Sequence, residues 1–218
     1  MTCTWIEERI ARAHERRGPS ISIVVLRILI GFAFIPAGLK KLLGQPFTDP
    51  ANTGVFHEFL HAFHATGLFY QFVGALQLTA AVLLITQRYA ILGAVILAPV
   101  LAAILVFCWS TGVVPTAIVV TLMSVGLLAL LLWDIQRWKT LLGMTAPVSP
   151  ATQPVVNMRL WSRCGWLILL LYFGNTAITG QVYRPMGAEW SNPSFFVLLI
   201  IAILPVVTFA LDSSTAKD

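Results

Sequence analysis

The chain has 218 residues, 58% of them hydrophobic and 11% charged, with a formal net charge of +5. A soluble domain carries about 25% charged residues, and here the apolar residues come in long blocks, so an all-α integral membrane protein is expected and a water-soluble globule is excluded. The positive charge therefore bears on orientation in a bilayer and gives no reason to expect nucleic acid. Cys3, Cys108 and Cys164 lie far apart with no C-x-x-C pair, which leaves no centre for a thiol relay.

Thr4 to Arg17 reads as a short amphipathic helix on the anionic cytoplasmic surface. Trp5, Ile6, Ile10 and Ala13 form its stripe, with Arg12 and Arg16 elsewhere. Gly18-Pro19-Ser20 is expected to break it, with Ser20 capping the next helix. No cleaved signal peptide is expected, because the following apolar run is too long for one and no small-residue cleavage site closes it.

Ile21 to Leu43 is the first membrane helix, roughly 34 Å long at 1.5 Å per residue. Stepping about 100° per residue puts Arg27, Gly31, Phe34, Gly38 and Lys41 near one meridian, with Ile35 and Pro36 on the other side. Glycines on one face let a neighbouring helix approach closely, and Pro36 frees the Phe32 carbonyl, so a kink is expected. The two cations either snorkel to the two interfaces from a packed face or line a polar cavity.

Gly44 to Thr53 is a polar loop, and Gly54 to Thr66 a second amphipathic segment with Val55, Phe56, Phe59, Leu60 and Phe63 on its apolar side. Leu68 to Ile85 is the second membrane helix, interrupted by Gly74 and Gln77. A Thr86-Gln87-Arg88 turn leads to Tyr89–Trp109, the third, and then to Pro115–Trp133, the fourth. Asp134 to Lys139 closes that helix with charge. Thr145 to Pro154 reads as a linker, and Leu160–Thr179 and Phe195–Leu211 form a final pair. The implied organisation is a leader over 1–19, a bundle over 20–140, a linker over 141–157, a transmembrane hairpin over 158–212 and a tail over 213–218. No inverted repeat is visible, which disfavours a typical secondary transporter.

Six crossings place Arg9, Arg12, Arg16, Arg17, Arg27, Arg88, Arg137, Lys139, Arg159, Arg163 and Lys217 on one side. Lys40, Lys41 and Arg184 fall on the other. That bias puts both termini in the cytoplasm, in a cytoplasmic-type (inner) membrane. No cysteine pair is then placed to form an internal disulfide.

Two candidate sites emerge. His57, His61 and His64 recur at i, i+4 and i+7 within about 60° of each other, so they either bind Zn or Cu or form the polar face of an interfacial helix. A haem between two histidines is disfavoured, because the only other one, His14, belongs to the opposite side. Gln77, mid-membrane, either accepts from Arg27 or Lys41 around a polar cavity, binds a quinone carbonyl, or makes an interhelical hydrogen bond worth about 0.6 kcal/mol. Lys40 and Lys41 can meet lipid head groups or an acidic partner.

The motifs Arg27…Gly31-Phe32…Ala37-Gly38-Leu39-Lys40-Lys41-Leu42, Ala65-Thr66-Gly67-Leu68-Phe69-Tyr70…Gly74…Leu83-Leu84…Arg88 and Ala98-Pro99…Ile104…Phe107 occur in order. Together they resemble DoxX-like membrane proteins over about residues 26–133. The resemblance implies a four-helix membrane bundle, here with two additional C-terminal helices. It also implies an association with redox proteins, among them a subunit of thiosulfate:quinone oxidoreductase and accessory proteins of other oxidoreductases. In such relatives an acidic residue often stands at the position of Gln77, an Asn at Ala103 and a His at Cys108. The expectation is a non-catalytic subunit or accessory factor of a membrane redox or respiratory complex, in contact with lipid and other membrane subunits. The alternatives are a quinone-interacting oxidoreductase component and a carrier of a lipophilic small molecule.

Overall fold

A computed structural model describes residues 9–135, 155–184 and 189–214. Every regular element among the described residues is helical: α1 (Arg17–Leu42), α2 (Val55–Ala65), α3 (Leu68–Ile85), α4 (Ala90–Ser110), α5 (Val114–Trp133), α6 (Met158–Thr179) and α7 (Pro193–Ser214). Residues 9–14 are also helical, while most of the linker and the end of the tail lie outside the described residues. Among the described residues five helices, α1, α3, α4, α5 and α7, are long and apolar enough to cross a membrane. α6 has 22 residues but carries Arg159, Arg163 and Asn175, so it is less apolar than the others.

The start of α1 differs from expectation. The helix begins at Arg17, so Gly18, Pro19 and Ser20 form its first turn. Proline is tolerated there because the first N–H groups of a helix have no intrahelical acceptor. Ser20 caps nothing; its hydroxyl donates back to the Arg16 carbonyl at 3.1 Å. α1 then continues through Pro36 as one helix.

α1 packs on α3, α3 on α4 and α4 on α5, and α5 returns to α1. Small residues set the closest of these contacts. A Cβ on Gly38 would lie 2.9 Å from the Leu78 nitrogen, and one on Gly74 would lie 2.6 Å from the Leu42 nitrogen. At Gly31 it would meet Ile85 Cγ1 at 2.7 Å. On its other side α3 presents Ala80, whose carbonyl would be 2.8 Å from a Cβ on Gly93 of α4. α1 is also buried away from the glycines: Ile35 is fully enclosed, and Leu26 and Ile30 reach Gly126 of α5. The placement of Ile35 on the side opposite the glycines is therefore corrected: at about 100° per residue it stands about 80° from Arg27, on the flank of the buried glycine face.

α6 and α7 pack on each other, and α6 joins the remainder through α3, where Gly165 lies against the Ile85 carbonyl. Tyr172 of α6 meets Phe32 of α1 edge to face at 5.7 Å. One end of the molecule gathers the starts of α1 and α6 and the end of α7: Arg17 pairs with Asp212 at 3.2 Å, and the Asn157 amide donates to Asp212 Oδ1 at 3.0 Å. His14 stacks on Trp133 at 3.9 Å, bringing the end of α5 there too. At the other end α2 lies across α4 and α3, with Phe59 4.4 Å from Phe107 and Phe63 5.0 Å from Tyr70, ring centre to ring centre.

Replacing Gly31 or Gly38 by Leu should lower thermal stability in detergent, because overpacking a tight contact costs about 1–3 kcal/mol and here backbone must move as well. Ala33→Leu, at an exposed position of the same helix, is the comparison and should melt like the wild type. Equal melting of all three variants would show that the glycine face does not pack closely.

Candidate functional site

The residues expected around one polar cavity are distributed along the whole bundle. Arg27 and Lys41 are on one helix, about 21 Å apart along its axis at 1.5 Å per residue. The structure does not bring them together, and each has its own surroundings.

At the first end, Arg27 donates to Asp134 Oδ2 at 2.8 Å and to Gln87 Oε1 at 3.4 Å. Gln87 in turn donates to the Val24 carbonyl at 3.3 Å. All three side chains are buried. Gln87 has φ +62, a left-handed conformation uncommon outside glycine, which turns the chain between α3 and α4. Its side chain ties that turn to α1. The arrangement exchanges the expected snorkelling Arg27 for an ion pair to the end of α5.

Gln77 sits midway on α3, 1% exposed, beside Gly38 of α1. Its Oε1 has no hydrogen-bond partner, so the anticipated acceptance from Arg27 or Lys41 is not made. The orphaned atom is an acceptor and calls for a donor. An amide turned end for end would instead present N–H groups.

At the second end, the Lys41 ammonium donates to the Ala37 carbonyl at 3.3 Å and lies 4.2 Å from the centre of the Phe47 ring. The three histidines of α2 border this region, and each has a different environment. His57 Nδ1 bonds to Thr48 Oγ1 at 2.7 Å, and His64 Nε2 donates to the Gly44 carbonyl at 3.0 Å, so both pin the loop that follows α1. His61 Nε2 is buried without a partner. Among the described residues no three His, Cys, Asp or Glu side chains are grouped to hold a metal ion, so these imidazoles do not converge as the i, i+4, i+7 spacing allowed. Helical spacing aligns Cβ atoms, whereas ring nitrogens of His57 and His64 have followed loop atoms.

Cys108 and Cys164 are buried free thiols. Ala103, in contrast, is exposed on α4. An open, largely apolar groove of about 600 Å³ runs between α3 and α6, lined by Val82, Trp166, Leu169, Leu170 and Phe173 with Arg163 beside them. Gln77 does not line it.

Asp134, Gln87, Asp212 and Arg184 were not singled out from the sequence. The available signal was that Asp134 and Asp212 are carboxylates at the ends of otherwise apolar helices, where an acid needs a partner.

The helices define an all-α integral membrane protein whose ionisable groups collect at the two ends of the bundle. Residues 22–109, from within α1 nearly to the end of α4, match the family model described as DoxX. The match stops short of α5, so the resemblance expected to reach residue 133 covers less of the chain. No curated protein and no solved structure matches.

Truncating Asp134 to Ala should destabilise the protein by about 3–5 kcal/mol, because it strips the buried Arg27 guanidinium of its carboxylate. The double change Arg27→Met with Asp134→Leu should recover much of that loss. Denaturant melts of the two single variants and the double give the coupling; strictly additive losses would mean the pair is not coupled.

Proposed function

We propose that this DoxX-type protein is a non-catalytic membrane subunit or accessory factor of a redox or respiratory complex. The observation that carries the reading is the surface of α7. Of the five membrane-length helices it is the least buried, and Ile200, Ile203, Val206, Val207 and Leu211 are left exposed along it. An apolar surface of that extent suits lipid and, in an assembly, the helices of another subunit. The redox context comes from the family resemblance. Wild-type protein purified in mild detergent should co-purify with other membrane chains, be colourless and show no quinone-reductase activity. A monodisperse single chain that turns over a quinone would overturn this reading.

One observation favours a second reading, a quinone-interacting component. Gln77 offers a buried acceptor with no partner, suited to the hydroxyl of a quinol, or to a quinone carbonyl if the amide is reversed. Gln77→Leu would then abolish quinone turnover, whereas under the subunit reading there is none to lose.

The proposed topology is six crossings with both termini in the cytoplasm. It is supported by the Arg17–Asp212 pair, which joins the start of α1 to the end of α7. Arg88, Arg159 and Arg163 belong to that same end, and cytoplasmic segments carry the excess of Arg and Lys. Reporter fusions at Asp218 should read as cytoplasmic and fusions at Gln45 as external. An external signal from the C-terminal fusion would remove the six-crossing count.

A further inference from the structure

The two buried cations of α1, Arg27 and Lys41, are treated differently. Arg17 and Arg27 each have a carboxylate within ion-pair distance. At the end that carries α2, Lys41 and Arg184 have none among the described residues. They nevertheless share one ring: the Lys41 ammonium is 4.2 Å from the centre of Phe47, and the Arg184 guanidinium carbon is 5.3 Å from it.

The acids of the two loops that carry Phe47 and Arg184 accept hydrogen bonds from other groups. Asp49 Oδ1 accepts from the Ala51 amide at 2.9 Å. Glu189 Oε2 accepts from the Tyr183 hydroxyl at 2.9 Å and from the Asn192 amide group at 3.3 Å.

The surroundings are held in place. Tyr70 donates to the Gln45 carbonyl at 2.8 Å, and His64 and His57 hold Gly44 and Thr48, so the loop bearing Phe47 is fastened on both sides of the ring. Tyr172 donates to the Tyr183 carbonyl at 2.9 Å, which fastens the backbone next to Arg184. Lys41 itself is buried, and a buried ammonium with one carbonyl acceptor and an aromatic face is poorly compensated for the water it has lost. Two like charges brought to one ring also oppose each other. Both deficits are relieved by one anion at the rim of Phe47. A tetrahedral oxyanion suits them, because the guanidinium offers a planar fork to its oxygens and the ammonium a point charge. Leu42 and Leu43, next in the chain after Lys41, are exposed apolar side chains that an amphiphile's tails would meet.

We infer that Lys41 and Arg184, set around Phe47, form a binding site for a phosphate-type oxyanion, carried either on a phospholipid headgroup or free in solution. The site does not require that the chain have protein partners.

The test uses the full chain, purified in neutral detergent, with native mass spectrometry and thermal melts. The probes are phosphatidylglycerol, phosphatidylcholine and inorganic phosphate. Wild type should bind phosphatidylglycerol at least about tenfold more tightly than phosphatidylcholine, about 1.4 kcal/mol, and melt higher in its presence. Arg184 is exposed, so Arg184→Gln should fold and lose that preference, while Arg184→Lys keeps most of it. Lys40→Gln, which removes a neighbouring charge that does not share the ring, should bind like wild type. Should inorganic phosphate raise wild-type stability as much as the lipid does, and not that of Arg184→Gln, the ligand is the free anion; a response to the lipid alone assigns the headgroup. Equal retention of the two lipids with no response to phosphate would overturn the site. So would unchanged binding in Arg184→Gln, or an equal loss in Lys40→Gln.

Discussion

The close contact of α1 with α3 is the constraint on which the rest of the structure depends. In lipid, two apolar helices gain nothing by leaving solvent, so they associate through packing and short-range polar contacts. Gly38 and Gly74 let the two backbones approach until each would meet the other's Cβ, and Gly31 repeats the contact two turns away. The consequences run along the helix. Lys41 is brought against Gly74, Gln77 is enclosed beside Gly38, and the turn after α3 lands where Gln87 can reach Arg27 and the Val24 carbonyl.

The electrostatics follow from that frame. A charge inside a low-dielectric bundle needs a partner, and the two ends meet the need differently. The end that gathers Arg17, Arg27, Asp134 and Asp212 uses carboxylates from α5 and α7 and thereby fastens the later helices to α1. The α2 end has aromatic rings and backbone carbonyls instead. Phe47 and Tyr70 face Lys41, and His57 and His64 of α2 hydrogen-bond to the loop. At the first end two ion pairs help hold the bundle together. At the other, Lys41 and Arg184 have no carboxylate within ion-pair distance among the described residues.

α6 and α7 stand apart from this scheme. They lie beyond the DoxX-matching segment and pack chiefly on each other. Their attachment is made at the ends by Asp212 and in the middle by Gly165 against Ile85 and Tyr172 against Phe32. A pair held this way leaves much of α7 uncovered by the rest of the chain.

The sequence by itself determined the elements. Long apolar blocks can only be helices in a bilayer, because every backbone N–H and C=O must be satisfied within the segment. Leu68–Ile85 was read to the residue, and the glycine face of α1 was legible because period 3.6 puts Gly31 and Gly38 on one line. The match of residues 22–109 to the DoxX family model was legible in the motifs of α1, α3 and α4. What only the tertiary structure decided was partnership. Periodicity says which side of its own helix a residue occupies and nothing about what stands opposite. Asp134 meets Arg27 across 107 positions, and Arg184 meets the ring of Phe47 from a loop between two later helices. Ile35 is fully enclosed, and His57 and His64 direct ring nitrogens to loop atoms whose positions no spacing rule contains.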